Sequence, residues 1–148
     1  MTQEYKQLLL KDLSARLPYG VKCTTKSSWN GIYTIEGYKD NRVFLDCPVY
    51  DEGDDEWMIE SIVPYLRPMS SMTEEEKNEL EQLSEEYFGK SLDKQIQESL
   101  SSSNRNESRI FEYTASSVIV DWLNAHHFDY RGLIEKGLAL EAPEGIYN

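Results

Sequence analysis

Two cysteines in 148 residues, Cys23 and Cys47, are too few and too far apart for a disulfide scaffold or a cysteine-based zinc site, and they read as reduced, partly buried thiols. No apolar run approaches the ~20 residues that cross a bilayer, so no membrane association is expected. Residues Met1 to Lys6 have neither the basic nor the apolar part of a signal peptide, and the expected location is cytoplasmic. There is no GxxxxGK[ST] or GxGxxG phosphate loop, and Gly31 and Gly37 fall where strand geometry is expected. With two histidines and no HExxH pattern, no metal ligand set, cofactor or catalytic residue is read from motifs.

Bases are the other scarcity: 15 Lys and Arg stand against 27 Asp and Glu, for a net charge of −12. The whole excess lies between Val43 and Phe88, where 14 acids face only Arg67 and Lys77, while the other 13 acids are matched by 13 bases. A field of that shape attracts cationic partners and repels nucleic acid, whose binding requires Lys and Arg on its phosphates. The aromatic side chains Tyr19, Trp29, Tyr33, Tyr38, Tyr50, Trp57 and Tyr65 therefore read as core or protein-interface groups, with no direct nucleic-acid contact.

With 39% hydrophobic residues the chain can bury one core, so a single α+β domain over 1–148 is expected. Thr2 caps a helix from Gln3 to about Leu17, in which Tyr5, Leu9, Leu13 and Leu17 recur every fourth residue, and Pro18-Tyr19-Gly20 stops it. Strands follow at Val21 to Thr25, Ile32 to Tyr38 and Val43 to Cys47, joined by Asn30-Gly31 and Lys39 to Arg42. The charged loop Val49 to Glu56 leads to a fourth strand, Trp57 to Val63, giving a four-stranded antiparallel meander or small barrel in 1–72. Pro64 to Pro68 is non-helical, and Thr73 with Glu76 opens an acidic helix from Glu74 to Phe88. In the helical annex 73–148, Ser101 to Ser108 reads as a mobile loop and Ile110 to Tyr113 as a returning strand. A helix begun near Ser116 or Ser117 and a tail docked over Tyr130 to Leu140 complete the chain, as Leu133, Ile134, Leu138 and Leu140 are too apolar for a free end.

Three segments carry a resemblance: Leu10-Lys11-Asp12-Leu13-Ser14-Ala15-Arg16-Leu17-Pro18-Tyr19-Gly20-Val21, then Pro64 to Glu76 (PYLRPMSSMTEEE), then His127 to Gly145 (HFDYRGLIEKGLALEAPEG). They resemble a family of small uncharacterised proteins of gut-bacterial genomes, prophages and phages. The resemblance implies that genomic setting, and no activity or catalytic residue comes with it.

Of the residues able to carry chemistry, His126 and His127 with Asp121 and Asp129 form a histidine–carboxylate cluster, but adjacent helical residues point about 100° apart and cannot share one site. Cys23 and Cys47 alternate in phase with the apolar positions of their strands and face inward. Asp51-Glu52-Gly53-Asp54-Asp55-Glu56 departs from the EF-hand loop in its glycine and in its missing terminal glutamate, and reads as a solvated turn.

The leading expectation is a non-catalytic acidic binding protein of phage or mobile-element origin. Asp51, Glu52, Asp54, Asp55, Glu56, Glu75, Glu79 and Glu86 would form its contact face for a basic protein surface, including as an inhibitor or decoy of a host defence or DNA-processing protein. The alternative is a small-ligand-binding protein or small enzyme using a pocket near His126, His127, Asp129, Tyr130 and Arg131, where Arg131 would hold a carboxylate or phosphate. Oligomeric state is left open.

Overall fold

A computed structural model describes residues 1–27, 31–46, 56–88 and 117–147. Contacts divide the chain into two compact units, Met1–Pro68 with Asn124–Asn148, and Met69–Leu123. The C-terminal tail thus belongs with the N-terminal half.

In the first unit, α1 (Gln3–Arg16) opens where the Thr2 hydroxyl accepts the Tyr5 amide at 3.2 Å. A 3₁₀ turn, Leu17–Tyr19, follows, and Gly20 at φ 69 ends it with its N–H on the Leu17 carbonyl. That left-handed residue reverses the chain into the sheet, a conformation glycine adopts without steric cost.

Among the described residues the sheet has six strands, β1 (Lys22–Thr25), β2 (Tyr33–Lys39), β3 (Arg42–Asp46), β4 (Glu56–Met58), β5 (Ile62–Leu66) and β6 (Leu140–Glu141), in the order β4-β3-β2-β1-β5-β6. Only β5 and β6 run parallel, so the sheet is mixed and the fold is α+β. The four-stranded sheet expected from the sequence gains one strand, β6, and the division of another brings the count to six. Its fourth strand, Trp57 to Val63, is cut in two by a 3₁₀ turn at Ile59–Ser61. The cause is spacing: Ile59 and Ile62 are both fully buried, yet residues three apart in a strand face opposite sides. One turn at three residues per revolution returns both to the core face. The segment from Pro64, expected to be non-helical, is extended and forms the second half of β5, with Cys23 opposite Pro64 and Leu140 opposite Tyr65.

The tail is pinned to β5 along its length. Arg67 N–H donates to the His127 carbonyl and the Asp129 N–H donates to the Arg67 carbonyl, each at 2.8 Å. Ala142 N–H reaches the Leu66 carbonyl at 2.8 Å. Between these anchors the chain forms turns. Their start is fixed by Asp129, whose carboxylate accepts the amides of Leu133 at 2.8 Å and Ile134 at 2.9 Å. Leu133, Leu138 and Ala139 thereby join Leu9, Leu13, Val21, Cys23, Ile35, Leu45, Ile59, Ile62 and Leu66 in one core.

In the second unit, α2 (Glu74–Phe88) starts with reciprocal hydrogen bonds between Thr73 and Glu76, at 3.0 and 3.2 Å. Leu80 and Ser84, four apart, are buried, while Glu75, Glu79, Glu85 and Glu86 are exposed. α3 (Ser117–Ala125) buries Ile119, Trp122 and Leu123, and its last two residues pass into the first unit. Asp51, Glu52, Asp54, Asp55, Cys47, the turn at Asn30, the loop Ser101 to Ser108 and the strand expected at Ile110 to Tyr113 lie outside the described residues. No helix among those described is long and apolar enough to cross a membrane.

Candidate functional site

Where α1, the sheet and the tail of the first unit meet, an unusual share of polar groups is buried. Asp12 and Arg16, both fully buried, form a two-point ion pair on the inner face of α1 at 2.8 and 3.1 Å. The Arg16 Nη2 also donates to the Phe128 carbonyl at 2.7 Å, which ties the helix to the tail. Arg131 lies 3.3 Å from Asp12 Oδ1, the oxygen that also accepts from Arg16 Nη2, and donates to the Tyr130 hydroxyl at 3.0 Å, and that hydroxyl donates in turn to Asn124 at 3.0 Å. Two guanidinium groups thus share one carboxylate, because the nearby Asp129 is committed to backbone amides. The Arg16 Nη1 is buried with no hydrogen-bond partner among the described residues.

Next to this network a cleft of about 350 Å³ opens to solvent. The turn after α1 supplies Tyr19 and Gly20, β1 supplies Lys22, and the end of β5 supplies Arg67. The chain leaving α3 adds Ala125, His126 and His127, and the tail adds Ile146 and Tyr147. Among the described residues that line it, the charged ones are Lys22 and Arg67 and none is acidic.

His127 occupies the position at which helices commonly end on a left-handed glycine: its φ is 63 and its N–H returns to the Asn124 carbonyl at 3.1 Å. The strained backbone turns the imidazole inward, where it stacks on Tyr147 with ring centres 3.6 Å apart and planes 11° from parallel. Tyr147 is fixed through its hydroxyl, which donates to the Tyr65 carbonyl at 2.7 Å and accepts the Lys22 amide at 2.8 Å. Burial pushes this phenol up to about 12. Burial also lowers His127 to about 4, and the positive charges of Arg16, His126, Arg67 and Lys22 push the same way. The imidazole is therefore neutral at pH 7, and its Nδ1 is buried with no hydrogen-bond partner among the described residues. On the rim, the Arg67 guanidinium sits 4.2 Å over the Phe128 ring, against which His126 stacks at 6.5 Å, and Arg67 also reaches the His126 carbonyl at 3.5 Å.

This geometry sorts the residues expected of a pocket. His126 and His127 line the cleft, and they do so together because the chain has left the helix before His127. Asp129, Tyr130 and Arg131 lie in the buried network and do not line it. The sequence reading missed Tyr19, Lys22, Arg67 and Tyr147 as lining groups, and Asp12 and Arg16 as their support. The Asp12–Arg16 spacing of four on the buried stripe of α1 was the available signal. Of the expected acidic face, Glu56, Glu75, Glu79 and Glu86 are exposed, and Glu56 pairs with Arg42 at 2.9 Å. The Cys23 thiol is fully buried in the core and pushed up to about 12 by burial, which leaves it un-ionised near neutrality. No group of three or more metal-ligating side chains occurs among the described residues. No protein-family model matches the sequence, and no curated protein and no solved structure is found similar to it.

Proposed function

We propose that this chain is a non-catalytic binding protein whose cleft takes a small anion. One observation carries the reading: in a chain of net charge −12, the charged residues that line the cleft, among those described, are Lys22 and Arg67 and none is acidic. An anion seated there meets a cationic wall in a partly desolvated site, where Coulomb attraction is less screened than at the open surface. The volume lies at the low end of small-molecule sites, and the polar groups converge on walls already held by backbone hydrogen bonds. All three segments that carry the phage-family resemblance supply residues to this cleft: Tyr19 and Gly20, Arg67, and His127. The test is a calorimetric titration with inorganic phosphate at low salt. The expected result is saturable binding that weakens at least fivefold in Lys22→Gln and in Arg67→Gln; equal heats in all three proteins would reject the reading.

A second reading keeps the acidic face as the contact surface, with a basic protein as partner and, in the mobile-element setting the resemblance implies, a decoy of a host defence or DNA-processing protein. Its support is that Glu75, Glu79 and Glu86 are exposed on α2, whose one base, Lys77, already pairs with Glu74 at 3.1 Å. Glu75→Gln, Glu79→Gln and Glu86→Gln, combined with neutral replacements of Asp51, Glu52, Asp54, Asp55 and Glu56, should abolish capture of a host protein. Unchanged capture with unchanged salt dependence would sink this reading.

A further inference from the structure

Resting on the anion-binding reading above, we infer that the occupant of the cleft is a planar aromatic molecule bearing one anionic head group, a phosphate or a carboxylate. The volume is the first reason. At ~30 Å³ per water, about 350 Å³ amounts to roughly ten waters, several times what an inorganic anion fills, so a ligand that empties the cleft has a body as well as a charge.

The walls describe that body. Four aromatic residues, Tyr19, His126, His127 and Tyr147, line the cleft. A bare phosphate gains nothing from ring faces, whereas a planar ring gains both apolar burial and the offset stacking that aromatic pairs favour. The His127–Tyr147 stack is already formed, and Tyr147 is held at its hydroxyl by β1 and β5, so no side-chain freedom is lost there on binding. The head group then belongs at Lys22 and Arg67, the two cationic side chains on the wall.

Four probes separate body from head: adenosine monophosphate, ribose 5-phosphate, adenosine and indole-3-acetate, each titrated into the full-length protein by calorimetry. The inference expects adenosine monophosphate or indole-3-acetate to bind at least tenfold more tightly than both ribose 5-phosphate and adenosine, and the tighter of the two identifies the head group. Tyr19→Leu, an exchange on a partly exposed turn, should cost that ligand about tenfold and leave inorganic phosphate unchanged. Ribose 5-phosphate binding as tightly as both aromatic anions would overturn the inference while leaving anion binding intact. Binding of none of the anions, phosphate included, would overturn both.

Discussion

At the residue scale the decisive groups are the polar ones inside. Asp12 neutralises Arg16 and draws in Arg131, so its loss strands two guanidinium groups away from water. Breaking a buried pair from one side costs about 3–5 kcal/mol, and Asp12→Ala should lower the urea-unfolding free energy by that order. Glu79→Gln on the exposed face of α2 should stay within about 0.5 kcal/mol. A loss below about 1 kcal/mol in Asp12→Ala would show that the network does not hold α1 to the tail. His127 supplies a pH dependence whose sign follows from its environment. Folded, it takes a proton only near pH 4, against an ordinary value of 6.5, so between these values the unfolded chain binds the extra proton. Stability therefore falls as pH drops from 6.5 to 4, by up to about 3 kcal/mol from this group. His127→Asn keeps a side chain that tolerates positive φ and removes the titration. Melting temperatures between pH 7 and 4.5 should fall less steeply in the variant, and parallel curves would contradict the assignment.

At the element scale the tail is structural. Truncation after Asn124 removes Leu133, Leu138 and Ala139 from the core and β6 from the sheet. At ~1.5–3 kcal/mol for each large buried side chain, the loss is several kcal/mol, read as a sharply lowered or absent melting transition. An unaltered transition would mean that the tail does not pack. Elements whose cause is local were legible: Thr2 and the Thr73–Glu76 pair mark the starts of α1 and α2 because a cap is a hydrogen bond over three residues. Elements whose cause is distant were not. The 3₁₀ turn at Ile59–Ser61 exists because a core has to receive both Ile59 and Ile62, and β6 exists only because β5 offers it an edge. Likewise His126 and His127 cannot share a site on a continuous helix, and the left-handed residue at His127 removes that restriction.

At the scale of the whole molecule, charge is distributed against its own average. Sequence counts expose the acidic stretch, because it is contiguous between Val43 and Phe88. They hide the cationic cleft, because Lys22, Arg67 and His127 come together only when β1, β5 and the tail pack. The imidazole of His127 sits inside that field and reports on it. The most direct test is to follow the His127 ring proton by NMR from pH 7 to pH 3.5, with and without saturating inorganic phosphate at constant ionic strength. Burial is the main reason the imidazole is held near 4, and an anion beside Lys22 and Arg67 offsets the positive charges that push the same way, so the account predicts a midpoint raised by phosphate and restored in Lys22→Gln. A midpoint unmoved by phosphate would contradict an anion site in this cleft.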